Sequence, residues 1–127
     1  MKEIIIVGGG LAGCEAALQI AKRKINVKLY EMKPHKFSEA HSNENLAEIV
    51  CSNSFKSDDE NTASGVFKRE LLLLGSNLLK TAYKHKVPAG QALAVDREAF
   101  SNEITQMIKT HKNINLFCEN VNYFDDI

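Results

Sequence analysis

The sequence predicts an α/β fold that opens with a parallel βαβ unit, because three patterns follow one another within its first 31 residues. The apolar run Glu3–Val7 is typical of a strand that is buried on both faces. A glycine-rich segment at residues 8–13 leads into Leu11–Lys24, whose apolar residues recur at helical spacing. Asn26–Glu31 then alternates between polar and apolar residues, as a second strand would. This order is that of a strand, a crossing helix and a parallel strand.

Weaker patterns after residue 31 predict further helices and then a third strand in the same, mostly parallel sheet. The Leu71–Leu74 run is interpreted as core, and Asp96 as the N-cap of a helix. The predicted elements are a loop at Lys33–Asn45, a helical turn or strand at Leu46–Val50, a loop at Cys51–Asn61, a helix at Ser64–His85, an apolar run at Ala92–Val95, a helix from Asp96 to Lys112 and a third strand at Ile114–Cys118.

The composition is that of a globular chain and argues against several classes of protein. Its 16 basic and 16 acidic residues cancel, so it lacks the net basic charge of most nucleic-acid-binding modules. The cysteines Cys14, Cys51 and Cys118 are widely spaced and odd in number, which argues against a disulfide framework and a C-x-x-C metal site. We expect no metal, no membrane or targeting segment, and a reducing, cytoplasmic compartment. Cys14 and Cys118 are expected in the core.

The glycine-rich segment matches G-x-G-x-x-G between a predicted strand and a predicted helix, which is the context that dinucleotide binding requires. Gly8 permits the tight turn, Gly10 lets the backbone approach a pyrophosphate at the helix N-terminus, and Gly13 lets the helix pack closely. The residues predicted to bind the cofactor here are Gly8, Gly9, Gly10, Leu11, Ala12 and Gly13.

An acidic residue, Glu31, ends the second predicted strand 18 residues after Gly13. A carboxylate at this position accepts hydrogen bonds from the ribose hydroxyls of the adenosine. It would also repel a 2′-phosphate, so NADP is a poor candidate for this site. The motif alone leaves open the choice between FAD and NAD.

Three further segments carry a resemblance to a known family. They are Leu29–Pro34 (LYEMKP), Glu48–Ser57 (EIVCSNSFKS) and Pro88–Arg97 (PAGQALAVDR). In order and spacing they resemble the folate- and FAD-dependent uracil-5-methyltransferases of bacterial tRNA over roughly the first hundred residues. Gln91 departs from the pattern, because it stands where the family is expected to have glycine.

The resemblance implies a Rossmann-like FAD/NAD(P)-binding fold of the glutathione-reductase type, of which residues 1–127 would be the N-terminal part. The chain would then be a fragment of a larger protein with a second domain. Family members bind FAD, reduce it with NAD(P)H and take a one-carbon unit from methylenetetrahydrofolate. They place it as a methyl group on carbon 5 of a uridine in the T-loop of tRNA. A related branch acts on 23S ribosomal RNA.

Cys51 is the catalytic residue that the resemblance implies, although a lone cysteine is more often a small buried hydrophobe. Its role would be either nucleophile on the base or partner of a flavin-bound methylene, and a family cysteine beyond Ile127 competes for the first role. The polar neighbours Ser52 and Lys56 favour a loop in which a thiolate can form. Arg97 would bind cofactor or RNA phosphate, with a surface ion pair as the alternative.

Other functions remain open from the sequence. One is a flavoprotein that modifies wobble uridines of tRNA, and another is a general FAD-dependent oxidoreductase with no need for Cys51. The 127 residues by themselves are expected to be inactive and to bind FAD weakly or not at all. The oligomeric state and the residues that hold folate and NAD(P)H are not specified by this sequence.

Overall fold

A computed structural model describes residues 2–127, with the side chain of Asp126 outside the description. The described residues form four α-helices, two three-stranded sheets and a short 3-10 turn. The elements are β1 (Glu3–Val7), α1 (Leu11–Lys22), β2 (Asn26–Tyr30), β3 (Ser54–Ser57), α2 (Ala63–Leu73), α3 (Asn77–Lys84), β4 (Lys86–Val87), β5 (Ala92–Val95), α4 (Arg97–Thr110), β6 (Ile114–Phe117) and the turn Phe124–Asp126.

The first sheet is parallel and has the order β1-β2-β6. Ile4 is paired with Val27, and Val27 with Ile114, so the opening βαβ unit and the predicted third strand lie side by side. Lys24 has a φ of 61° in the turn that joins α1 to β2. A helix end commonly places glycine in this left-handed conformation, and here a lysine adopts it. The α/β fold class and the parallel βαβ unit are confirmed.

The expectation that β1 is buried on both faces is wrong. Ile4, Ile5 and Val7 are 37%, 43% and 55% exposed, because β1 is an edge strand among the described residues. The buried centre of the sheet is β2, where Val27 and Leu29 have no exposed surface. An apolar run therefore identified the strand but not its place in the sheet, which depends on its neighbours.

The second sheet is antiparallel, with the order β3-β5-β4. Its strand β3 lies inside Cys51–Asn61, which the sequence predicted as a loop. Ser54–Ser57 is short, polar and irregular in register, so its sequence has little strand character. Pairing with the apolar strand β5 stabilises it, and this pairing joins residues about 40 positions apart. The prediction of a mostly parallel sheet holds for the first sheet only.

The predicted helix Ser64–His85 is two helices, α2 and α3. The chain breaks at Gly75, whose φ of 83° lies outside the helical region, and Ser76 accepts a hydrogen bond from the Leu79 amide as the N-cap of α3. Four consecutive residues at the end of a helix point in different directions, so they cannot all face the core. Leu73 and Leu74 are 88% and 76% exposed, so the prediction that they belong to the core is wrong.

Helix α4 begins where the sequence predicted, because Asp96 caps it by accepting a hydrogen bond from the Ala99 amide at 3.0 Å. It ends at Thr110, two residues before the predicted end. Phe100, Ile104 and Ile108 have no exposed surface and form the centre of the core. Helix α4 thereby packs against the parallel sheet, with α1 beside it.

Two cysteines differ in their burial. Cys14 on α1 is fully buried, as predicted. Cys118 follows the last residue of β6 and is exposed, so the expectation of a core position is wrong. The Leu46–Val50 segment is neither helix nor strand, although Leu46 and Ala47 in it are buried. No helix in residues 2–127 is long and apolar enough to cross a membrane.

A carboxylate joins α1 to α3. Glu15 accepts hydrogen bonds from the amides of Asn77 and Leu78 and from the Ser76 hydroxyl, at 3.0, 2.9 and 2.8 Å. A negative charge at a helix N-terminus also interacts favourably with the helix dipole. Burial raises the pKa of Glu15, but hydrogen bonds from Gln19 and from the start of α3 outweigh burial and hold its pKa below 4.5.

Substituting Glu15→Gln should lower the free energy of unfolding at pH 7 by about 1 kcal/mol, because an uncharged amide accepts these bonds less well. The lowered pKa means that the ionised carboxylate stabilises the folded state above the ordinary pKa of 4.5, and that this contribution disappears as the pH falls through the folded-state value. Urea unfolding at pH 7 and pH 3.5 measures both effects. The exposed Glu70→Gln is the control. A difference between Glu15→Gln and the parent that stays constant with pH would contradict this account.

Candidate functional site

Backbone geometry requires glycine at two positions where β1 leads into α1, namely Gly8 in the turn and Gly13 in the first turn of the helix. Gly8 has a φ of 104°, which other residues rarely adopt, and its amide donates to the Tyr30 carbonyl at 2.7 Å. A Cβ atom on Gly13 would lie 1.8 Å from the Gly8 carbonyl oxygen. The first turn of α1 therefore packs directly on the glycine turn, which is the close packing that the motif predicted for Gly13.

The peptide groups of Gly9 point into the protein. Its amide donates to Glu31 Oε2 at 2.7 Å, and its carbonyl accepts from the Ala47 amide at 2.8 Å and from the Cys14 thiol at 3.3 Å. Burial raises the pKa of Cys14 to about 12, so this thiol stays protonated and can donate. Gly9 is thus a structural member of the motif, whose amide is already bonded to Glu31.

Helix α1 leaves its N-terminus open for a ligand. Within residues 2–127 the other three helices are capped by Thr62, Ser76 and Asp96, whereas no side chain caps α1. A Cβ atom on Gly10 would meet no atom within 4 Å. The first amides of a helix point out of its N-terminus and favour an anion there. The space over Gly10 at the start of α1 can therefore take a pyrophosphate. Leu11 and Ala12, which the sequence also predicted to bind the cofactor, line a separate apolar groove and not the cleft of Gly10.

Glu31 stands at the end of β2 and is 7% exposed. Besides the Gly9 amide, its carboxylate accepts from the Lys33 amide at 3.0 Å. Each carboxylate oxygen can accept more than one hydrogen bond, so capacity remains for ribose hydroxyls. Glu31, Gly8 and Gly10 line the same cleft of about 250 Å³, which we call the adenosine cleft. The structure thus brings the glycine turn and Glu31 together, as the sequence predicted.

The adenosine cleft has further walls that the sequence analysis did not identify. They are Lys33, His41 and Glu48 from the segment after β2, together with Glu119, Asn120 and Val121. The last three follow β6 just as Glu31 follows β2. Because ligands of parallel sheets bind at the carboxyl ends of the strands, the position after a third strand was a usable signal.

Cys51 and Arg97 share a second cleft of about 470 Å³, which we call the cysteine cleft. Its other walls are Ser52, Asn53, Val87, Val95 and Asp96. Cys51 is exposed. The Asn53 carbonyl accepts a hydrogen bond from the Val95 amide at 2.7 Å, which holds the stretch that follows Cys51 against β5. The cation that lines this cleft is Arg97. Lys56, the cation expected from the sequence, lines a separate apolar groove.

A third cleft, of about 290 Å³, has one wall residue in common with each of the first two. Glu48 lines both this cleft and the adenosine cleft, and Arg97 lines both this cleft and the cysteine cleft. The third cleft is therefore the neighbour of both, whereas the adenosine cleft and the cysteine cleft have no lining residue in common. Among the described residues, no group of three or more His, Cys, Asp or Glu side chains could hold a metal ion.

The amino-acid sequence matches one family model and several known proteins. A family model described as "Glucose inhibited division protein A" (GIDA) matches residues 3–126. A protein of Fusobacterium nucleatum is 56% identical over 123 residues, which are 97% of this chain and 28% of that protein. A protein of Acetivibrio thermocellus is 55% identical, over 93% of this chain and 27% of its own length. Both are named methylenetetrahydrofolate–tRNA-(uracil-5-)-methyltransferase TrmFO. The chain spans about 28% of the length of such relatives.

The fold also matches a solved structure of low sequence identity. A crystal structure of an MHPCO mutant superimposes with a TM-score of 0.50 over 91% of this chain and 31% of that one, at 14% identity. At this identity, the likeness concerns the fold alone.

Two glycine substitutions should separate folding from ligand binding. Gly13→Ala places a methyl group against the Gly8 carbonyl and should lower the free energy of unfolding by about 2 kcal/mol. Gly10→Ala meets open space at a φ of −76°, which alanine adopts readily, so stability should change by less than about 0.5 kcal/mol. The same methyl group should weaken FAD binding at least about tenfold, because it occupies the space of the pyrophosphate. Urea unfolding and FAD titration of the full-length protein measure the two effects, and unchanged affinity in Gly10→Ala would contradict this placement.

Proposed function

The chain belongs to the GIDA family, and on this basis we propose that it is the FAD-binding portion of a methylenetetrahydrofolate-dependent tRNA uracil-5-methyltransferase. The family resemblance drawn from the motif segments is confirmed by relatives that are 47–56% identical. The observation that carries the proposal is that the cleft at the glycine turn and the cleft of Cys51 and Arg97 each share a wall residue with a third cleft, namely Glu48 and Arg97.

The residues of the adenosine cleft fit FAD. The uncapped start of α1 and the open space over Gly10 suit the pyrophosphate, and the Glu31 carboxylate suits the adenosine ribose. The same carboxylate disfavours a 2′-phosphate, so NADPH is expected to react at a different place. Arg97 supplies a cation for a phosphate of the cofactor or of the RNA. When bound, FAD supplies the reduction that converts a methylene unit into a methyl group.

Cys51 is proposed to carry the covalent chemistry on the uracil. Its thiolate adds to carbon 6 of the base, and the electrons of the ring double bond move toward carbon 5, which then attacks the one-carbon unit. Loss of the proton from carbon 5 expels the thiolate and restores the double bond, and a hydride from reduced FAD would replace the bond between the one-carbon unit and its carrier, which leaves a methyl group on carbon 5. An exposed thiol in an open cleft is accessible to a base that has been turned out of its RNA.

The co-substrates and partners of the whole protein follow from this proposal. They are methylenetetrahydrofolate as the one-carbon donor, NAD(P)H as the reductant and tRNA as the substrate, in the cytoplasm. The relatives are about three and a half times as long as this chain, so the residues that hold folate and NAD(P)H are expected outside residues 1–127.

Methyl transfer by the full-length protein tests the proposal. The reaction contains FAD, NADPH, isotope-labelled methylenetetrahydrofolate and an unmodified tRNA transcript, and mass spectrometry locates the label. We expect 5-methyluridine in the T-loop, and Cys51→Ala should lower the rate at least about a thousandfold if the thiol is the nucleophile.

Cys118→Ala is the matched control, because Cys118 is the other exposed cysteine of the described chain and does not line the cysteine cleft. Its rate should stay within about twofold of the parent. Label that survives in Cys51→Ala would remove Cys51 from the essential chemistry. Label in 23S ribosomal RNA alone would move the protein to the ribosomal branch, and no label in either RNA would overturn the methyltransferase proposal.

A further inference from the structure

A lysine is buried at the wall of the adenosine cleft. The side chain of Lys33 is 2% exposed, and its ammonium donates to the Asn43 carbonyl at 3.1 Å, to the Asn45 carbonyl and to Glu48 Oε2 at 3.2 Å. An ammonium has three protons to donate, and all three are used here. The charge is balanced by Glu48, whose side chain is 7% exposed.

The same contacts close the segment 42–48 on itself. The second oxygen of Glu48 accepts from the amide and the hydroxyl of Ser42, each at 2.8 Å. Burial raises the pKa of Glu48, but the bonds from Ser42 and Lys33 outweigh burial and lower it, so the carboxylate is ionised at neutral pH. Lys33 and Glu48 thus hold both ends of the segment.

The segment 42–48 packs directly against the glycine turn. The Ala47 amide donates to the Gly9 carbonyl at 2.8 Å, and a Cβ atom on Gly9 would lie 2.6 Å from Leu46 Cδ2. Ala47 is fully buried with a φ of 51°, a left-handed conformation that costs a non-glycine residue about 1 kcal/mol. The segment 42–48 therefore has a strained backbone at Ala47, where it contacts the glycine turn. Such strain persists only where the surrounding contacts impose it.

We propose that Lys33 is a positioning residue for the dinucleotide, which fixes the segment 42–48 and thereby holds Glu48 as a preformed part of the wall of the adenosine cleft. This inference rests on the proposed binding of FAD. Without the ammonium, the carbonyls of Asn43 and Asn45 lose their common donor and the wall becomes mobile. FAD must then order the segment 42–48 when it binds, and the free energy needed for this ordering weakens the affinity for FAD.

Stabilisation of the fold by itself is the competing explanation of the buried pair. A buried ion pair is weak evidence for stability, because the cost of removing two charges from water offsets their attraction. The two explanations predict different maximal rates at saturating FAD. A positioning role raises the FAD concentration needed for half-maximal rate and leaves the maximal rate intact, whereas damage to the fold lowers both the maximal rate and the amount of folded protein.

Lys33→Met in the full-length protein tests the proposal, since methionine replaces the unbranched apolar stem of lysine and lacks its ammonium group. We expect the Kd for FAD, measured by quenching of flavin fluorescence, to rise at least about tenfold. Turnover at saturating FAD and the absorption spectrum of the bound flavin should match the parent within about twofold. The control is Lys36→Met, which removes an exposed lysine from the same stretch of chain.

Glu48→Gln is the second variant, for the case in which Lys33→Met does not fold. It keeps the acceptor for Ser42 and removes the charge opposite Lys33, and its Kd for FAD should rise about fivefold or more. A folded Lys33→Met or Glu48→Gln with a Kd within twofold of the parent would overturn this inference and leave the cofactor proposal standing. A parent protein that binds no FAD would overturn the proposed cofactor and this inference with it.

Discussion

The hydrogen bond from the Gly9 amide to Glu31 is the contact on which the rest of the candidate site depends. It joins the turn after β1 to the end of β2, so the two parallel strands are tied together where their carboxyl ends meet. Because this amide is turned inward, Gly10 and the start of α1 are left facing open space. One bond therefore orients the acidic residue and exposes the surface on which a pyrophosphate can rest.

The second constraint is the close approach of chain segments at the glycine turn. The Gly8 carbonyl lies so close to Gly13 that no side chain fits at position 13. Leu46, from the segment after β2, packs against Gly9 in the same way. The motif thus serves two purposes, since Gly10 leaves room for a ligand while Gly9 and Gly13 leave room for the protein itself. The segment after β2 has no regular secondary structure, yet it is fixed by the contacts of Lys33 and Glu48.

Features encoded within a few residues were predictable. The βαβ unit, the Asp96 cap and the glycine turn depend on local spacing and on the conformational freedom of glycine, and each lies where the sequence placed it. The errors concern long-range partners. β3 was missed because its strand character comes from β5. Leu73 and Leu74 were placed in the core, but no described part of the chain packs over them.

The sequence by itself determined the fold class, the glycine turn with its acidic partner Glu31, and the family to which the chain belongs. These features follow from short-range periodicity and from motifs whose residue types have a specific backbone role. Only the tertiary structure decided that Cys51 and Arg97 share a cleft, that Lys33 is buried against Glu48, and that β1 is an edge strand within residues 2–127. Burial and adjacency arise from contacts between distant segments, and a linear pattern does not specify which segments meet.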